Sequence, residues 1–313
     1  VSVFLSLIVA PLCYYSHLGL PWLGIDELTA EKSSEYIKMV AFGFPAIGIF
    51  MALRYHMQGV GITSPFAVAS VIGFIANIPL NYMFIFGFGD IPAMGAQGCG
   101  IATAISMWLS ALIITLYVLT KKSLQQFMPP LRPVAPDPVT IKEILTIGAP
   151  VGATFFLETA VFAGIALLVS SLGDVAIGAH QIAFNVWDMF YIPMLAIGSS
   201  MATRMGHALG AQDQQGVFMA LKAGILCSGV ISVTTMIILL SFPTAIVGIY
   251  SDSQDISLLA VRLLSFAALF VIIDAVQIVG SFSMRAYKKT RFPFIASMVA
   301  YWLIALPLGY YLG

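Results

Sequence analysis

The sequence predicts an all-α polytopic membrane protein, and three observations carry that prediction. Of 313 residues, 60% are hydrophobic and 9% charged, where a soluble domain has about 25% charged. The apolar residues gather into nine runs of the length that crosses a bilayer as a helix. None alternates apolar and polar residues with period 2, as a β-barrel strand would. A surface so poor in charge excludes a cytosolic enzyme, a nucleic-acid binder and a disordered chain. Lys+Arg and Asp+Glu are 14 each, so no net charge points to a polyanionic partner. Cys13, Cys99 and Cys227 lie in apolar runs and read as small packing residues, neither a disulfide framework nor a metal pattern.

The spans are predicted at 1–20, 36–59, 65–87, 98–120, 144–172, 176–201, 217–241, 258–282 and 293–312. The loops between them alternate in sign. After the first span come Asp26, Glu27, Glu31 and Glu35; after the third, Asp90; after the fifth, Asp174; after the seventh, Asp252 and Asp255. The even-numbered loops hold Lys121, Lys122, Arg132 and Lys142, then Arg204 with Lys222 beyond it, then Arg285, Lys288, Lys289 and Arg291. Lys and Arg mark the cytoplasmic side. The expected topology puts Val1 in the cytoplasm and Gly313 outside, with Lys32 and Lys38 outweighed by the basic clusters. No signal peptide is visible.

Two spans repeat one another. Pro65-Phe66 opens the third and Pro79-Leu80 with Tyr82 closes it; Pro293-Phe294 opens the ninth and Pro307-Leu308 with Tyr310 closes it, at a constant offset of 228. Val71 and Val299 also match. An even, six-helix repeat keeps its orientation, which relates the halves by an axis along the membrane normal. The proline-rich segment 121–142 (Pro129, Pro130, Pro133, Pro136, Pro138) reads as a cytoplasmic linker. It divides an amino-terminal lobe, 1–120, from a carboxy-terminal lobe, 143–313. The expectation is a twelve-helix whole, with two helices before Val1 and one after Gly313.

Three acids fall inside spans: Glu158, Asp188 and Asp274. Each lies roughly 18–24 Å along its helix at 1.5 Å per residue. An ionised carboxylate there costs about 2.5–3.5 kcal/mol, so it faces a cavity, binds a cation or takes a proton. Burial disfavours its charge and a bound cation restores it. That competition between a proton, a metal ion and a cationic substrate is what ion-coupled transport requires. Gln181 and Asn185 share a face of the sixth span with His180, while Asn77 and Asn81 lie one turn apart on the third span with Thr103 on the next. Their oxygens suit a hard cation such as Na+ or helix–helix hydrogen bonds. Phe155, Phe156, Phe162, Trp187, Phe190 and Phe270 near the acids suit lipophilic cations as an apolar wall. The glycine steps Gly95-Gly98-Gly100 and Gly206-Gly210 allow close helix approach.

The motifs then combine. Gly148-Ala149-Pro150 stands ahead of Glu158, and Gly178-Ala179-His180-Gln181 opens the sixth span. Arg204-Met205-Gly206-His207-Ala208-Leu209-Gly210-Ala211 follows it, and Gly95-Ala96-Gln97-Gly98-Cys99-Gly100-Ile101-Ala102-Thr103 opens the fourth. Together these resemble the multidrug and toxic compound extrusion (MATE) family, NorM-like branch, over nearly the whole chain. The resemblance implies a twelve-helix fold of two six-helix lobes around an alternating central cavity, here from the third helix to the eleventh. It implies a non-enzymatic antiporter in the plasma (inner) membrane, acting as a monomer among membrane lipids. Small lipophilic organic cations would leave in exchange for Na+ or H+, with no other cofactor and no nucleic acid. Glu158 and Asp274 occupy the family's carboxy-terminal cation site, where they would hold Na+ if sodium is the coupling ion. Asn77, Asn81 and Thr103 match its amino-terminal polar site. Asp188, Gln181 and Asn185 are further candidates for ligand contact. Phe270 stands one turn before Asp274 where some sodium-coupled relatives carry Tyr, and Asp188 where small polar residues are expected; the coupling ion stays open. The rival reading is a flippase for lipid-linked or polyisoprenoid substrates, whose anionic cargo calls for cavity Lys or Arg.

Overall fold

A computed structural model describes residues 1–23, 27–121 and 137–312. Asp26, Gly313 and the linker residues 122–136, among them Lys122, Arg132, Pro129, Pro130, Pro133 and Pro136, lie outside the described residues. The described chain is helical; its one β feature is a bridge between Phe88 and Ile91 in a tight loop. Among the described residues eight helices are long and apolar enough to cross a membrane, and a bent pair supplies a ninth span. The chain divides into two compact units, Val1–Ala135 and Pro136–Gly313.

Unit 1 contains α1 (Ser2–Tyr15, continued as a 3-10 turn through Leu23), α2 (Glu27–Ala41), α3 (Phe44–Gly59), α4 (Ser64–Phe86) and α5 (Gly95–Thr120). Helix α5 packs against α2, α3 and α4, and α1 covers α2 and α3. Met57, Ala69, Ile114 and Val118 form its core. The second span starts at Glu27 rather than at residue 36 and bends by 49° between α2 and α3. Pro45 explains the bend: it has no N–H, and its ring displaces the carbonyl four residues back. The Phe42 carbonyl at the break accepts a hydrogen bond from Trp108 Nε1 of α5, at 3.0 Å. At the same break a Cβ on Gly43 would meet the Met107 sulfur. Near the span's end the Arg54 guanidinium lies over Phe66, 5.1 Å from the ring centroid.

Unit 2 contains α6 (Pro138–Ser170), α7 (Asp174–Gly210), α8 (Gln214–Ser241), α9 (Pro243–Val247), α10 (Gln254–Ala286) and α11 (Arg291–Ser297). A π-helical stretch, Met298–Ala305, and α12 (Leu306–Leu312) complete the last span. Its core lies among α7, α8 and α10, around Met194, Leu239, Leu264, Val271 and Ile278. Large apolar side chains such as Phe156, Phe266 and Val276 point outward, as lipid-facing residues do. At the offset of 228, α4 matches α11–α12, and the bent pair 27–59 matches the unbroken 255–287.

Polar side chains are consumed locally. Thr115, Thr154, Ser265 and Ser283 each donate to the carbonyl four residues back, a bond open to Ser and Thr inside helices. Asp137 caps α6, accepting from the amides of Val139 and Thr140 at 3.1 Å each and from the Thr140 hydroxyl. The Thr140 hydroxyl first, then the two amides, hold its carboxyl below the ordinary 3.8.

The glycine steps separate. A Cβ at Gly98 would meet the backbone of Phe84 and Ile85, and one at Gly100 the Tyr36 carbonyl, so both mark close helix contacts. Gly206 and Gly210 face nothing within 4 Å and are not contact positions within their unit, contrary to the spacing argument. Gly98→Ala should therefore lower the thermal midpoint, by about 1–3 kcal/mol of overpacking, while Gly206→Ala leaves it in place in a thermal-shift assay. Because the Asp137 pKa is depressed on folding, its capping bonds contribute above pH 3.8 and are lost as pH falls through the lower folded value. The protection factors of the Val139 and Thr140 amides should fall on acidification below that point, and at neutral pH in Asp137→Ala.

Candidate functional site: two carboxylates tied to one helix

In unit 2 the structure brings Glu158 of α6 and Asp274 of α10 to one seam, with α7 between them. Tyr191 Oη donates to Glu158 Oε1 at 3.1 Å, and Trp187 Nε1 donates to Asp274 Oδ2 at 3.0 Å. Trp187 and Tyr191 are one turn apart and stack, with centroids 4.5 Å apart and planes at 22°. A second phenol, Tyr301 on the π-helical stretch, lies within electrostatic reach of Glu158. Trp302 beside it donates to the Leu157 carbonyl at 3.3 Å, so the last span grips α6 through side chain and backbone alike. Asp274 and Arg285 lie within electrostatic reach of Glu158. The Arg285 guanidinium is itself sandwiched between Phe282, at 4.3 Å, and Phe155, at 4.9 Å.

The aromatic stack extends along α7. Phe162 of α6 packs on Phe184 and Trp187, at 5.1 and 5.4 Å, and His180 stacks on Phe184 at 6.5 Å. His180 thus belongs to the aromatic stripe. It does not share the face of Gln181 and Asn185, which are exposed, as is Asp188. Of the three acids predicted at depth, the structure pairs two and leaves Asp188 outside the pair.

Asp274 also borders a cavity of about 450 Å³ between α10 and the last span, with Gln277, Ser281, Ser297 and Tyr301. At the equivalent positions of unit 1, Leu53, Ala69 and Gly73 pack against α5. In unit 1, Asn81 Nδ2 donates to Asn77 Oδ1 at 2.7 Å, and Asn77 Nδ2 donates to Ser106 Oγ on α5 at 3.1 Å. Thr103 donates to its own helix, to the Cys99 carbonyl at 2.8 Å. Asn77, Thr103 and Ser106 line a shallow cavity of about 260 Å³. Asn81 Oδ1 is buried without a partner.

Among the described residues no group of three or more His, Cys, Asp or Glu is arranged for a metal ion. At the seam two carboxylates and two phenols, with Gln277, Ser281 and Ser297 on the cavity beside Asp274, make an oxygen donor set that fits a proton or Na+ better than a transition metal. Sequence reasoning found both carboxylates and missed what holds them. Trp187 and Tyr191 carry one legible signal, their four-residue spacing; Tyr301 and Arg285 carry none.

The MatE family signature matches residues 1–83 and 150–311. The chain is 34% identical over 312 residues to the multidrug resistance protein NorM of Photobacterium profundum, covering all of this chain and 68% of the relative. The chain belongs to the MatE family. It is 36% identical over 317 residues to the multidrug resistance protein MdtK of Proteus mirabilis, again covering all of this chain and 68% of the relative. Among solved structures, the eukaryotic MATE transporter AtDTX14 superposes with a TM-score of 0.87 at 20% identity, covering 98% of this chain and 67% of that one. A multidrug resistance MATE family transporter of the MOP superfamily superposes with a TM-score of 0.84 at 18% identity, covering 99% and 68%. MatE proteins are membrane transporters and not enzymes, and this chain is a multi-pass membrane member with the MATE fold.

Two substitutions separate tie from surface. Tyr191→Phe removes a donor from a half-buried carboxylate, a loss of about 1–3 kcal/mol, and should lower the thermal midpoint in detergent. Asn185→Ala on the exposed face should stay within about 0.5 kcal/mol.

Proposed function

We propose that this MatE protein works in a secondary active multidrug efflux antiporter of the plasma (inner) membrane. It exports small lipophilic organic cations in exchange for Na+ or H+. Residues 1–120 and 143–313 serve as its two lobes around the linker 121–142, with Val1 facing the cytoplasm and Gly313 the exterior, and one chain is the working unit. The observation that carries the reading is the pair Glu158 and Asp274. Two carboxylates sit in apolar spans; a neutral indole and a neutral phenol donate to them, and one basic group, Arg285, lies within electrostatic reach of Glu158.

The indole and the phenol stabilise a negative charge without cancelling it, and two acids outnumber the single guanidinium of Arg285, so the pair retains attraction for a cation. A coupling ion would be held by Glu158 and Asp274, with the oxygens of Tyr191 and Tyr301 at hand. Asp188, Gln181 and Asn185 offer a separate carboxylate and two amides on the exposed face of α7, suited to an organic cation. The relatives named NorM and MdtK are multidrug resistance proteins, which supports a lipophilic, chemically varied cargo. Asn77, Asn81 and Thr103 form the corresponding polar site of the first lobe, where the unpartnered Asn81 oxygen is the acceptor left for a ligand. An anionic lipid-linked cargo fits poorly with a site whose charged members at depth are acids.

The test is ethidium efflux from proteoliposomes under a sodium gradient or a pH gradient, imposed separately, with Glu158→Gln in parallel. Efflux should follow one gradient and fall at least about tenfold in the variant. Absence of efflux from folded protein under both gradients overturns the proposal.

A further inference from the structure

At the basic end of unit 2, α10 stops in a tight turn. The Lys289 amide donates to the Met284 carbonyl and the Lys288 amide to the Arg285 carbonyl, each at 2.9 Å. This pair of bonds closes a helix around one residue in the left-handed region, a place that glycine usually takes. Lys288 stands there at φ 58°, with a backbone strain that glycine would not carry. Its ammonium crosses to α6 and donates to Glu143 Oε1 at 2.7 Å. Both partners are exposed, and an exposed ion pair contributes little stability. Its effect is positional: it holds the α10–α11 turn beside the first turns of α6.

Cations gather at that junction. Lys142 adjoins Glu143, Lys289 adjoins Lys288, and Arg291 opens α11; all three are exposed. The ion pairs among the described residues are Lys32–Glu35 and Lys288–Glu143, so these three cations have no carboxylate partner there. Lys142 lines a cavity of about 660 Å³ with Pro138, Ile141, Leu145 and Thr146, positions three and four apart that share one face of α6. Thr146 spends its hydroxyl on the Lys142 carbonyl at 2.7 Å. The cavity thus joins an ammonium to an apolar floor, and Ile144 and Phe292 extend the exposed apolar surface beside it.

We propose that this junction binds a phospholipid with a net negative headgroup, its phosphodiester on Lys142, Lys289 and Arg291 and an acyl chain along the apolar face of α6. Arg offers phosphate a bidentate fork and Lys a point charge. The level is right for a headgroup: the spans predicted from 144 and 293 leave the three cations two to four residues outside, while Leu145 lies within. The opposite end of unit 2 carries Asp174, Asp252 and Asp255, which repel the same headgroup. A zwitterionic headgroup brings a cation of its own and gains less. A free phosphate uses the cations and leaves the apolar face empty. Lys288, already neutralised by Glu143, is the strut that sets the two sides of the junction together. The proposal does not depend on which ion drives transport.

The experiment is native mass spectrometry of the purified, delipidated protein in detergent, titrated with dioleoylphosphatidylglycerol or with dioleoylphosphatidylcholine. Phosphatidylglycerol should be retained in preference. Lys142→Gln and Lys289→Gln should each weaken its binding about fivefold, the effect of one cation on an anionic lipid, and leave phosphatidylcholine binding unchanged. Arg204→Gln removes an exposed cation of α7 at the same end of the unit and should change neither lipid. Excess glycerol phosphate should leave the bound lipid in place. A thermal-shift assay gives a second readout: phosphatidylglycerol should raise the midpoint of the wild type and of Arg204→Gln, and not that of Lys142→Gln with Lys289→Gln combined. Equal binding of the two lipids, or an equal loss in Arg204→Gln, overturns the proposal in favour of diffuse attraction. Displacement by glycerol phosphate overturns it in favour of a simple anion site. Each of these results leaves the efflux reading standing.

Discussion

Everything in this molecule depends on one constraint: a polar group at membrane depth has no water to turn to and must find its partner within the protein. Many serines and threonines, Thr115, Thr154, Ser265 and Ser283 among them, meet it locally, donating to carbonyls of their own helix. The groups for which that fails are served across helices, mostly by aromatic donors. Trp108 reaches the carbonyl freed by the α2–α3 bend, Trp302 the backbone beside Glu158, and Trp187 and Tyr191 the two acids. Indole and phenol suit the task because each buries a large apolar body and leaves one polar atom to be satisfied.

The same constraint separates what the sequence discloses from what it conceals. Spans, their order and the acids within them are properties of residue type and local run length. They were legible because each needs only a window of the chain. Glu158 and Asp274 stood out since a carboxylate among Phe, Leu and Ile is conspicuous wherever it lies. Their partners were not legible, because partnership is set by which helices meet. Tyr301 is one aromatic among many until the last span is seen against α6, and Trp187 reads as one ring of the apolar wall until its indole is seen on Asp274. The bend before Pro45 was latent in the sequence, but the hydropathy run passed over it, and the helix in fact begins nine residues earlier, at Glu27. Gly206 and Gly210 mislead in the opposite sense: their spacing permits close approach, and no helix of their unit takes it up.

The two units also show what it takes to keep a carboxylate in such a setting. At the repeat offset, Asp274 corresponds to Ala46, one residue beyond Pro45. In unit 1 the helix breaks at this level and the tryptophan N–H is spent on the backbone carbonyl that the break releases. In unit 2 the helix is unbroken, no carbonyl is released, and a tryptophan N–H from another helix goes to the side chain instead. The two donors come from different helices, Trp108 from α5 and Trp187 from α7. The unbroken α10 holds Asp274 within a regular helix, where the Trp187 indole meets its carboxylate.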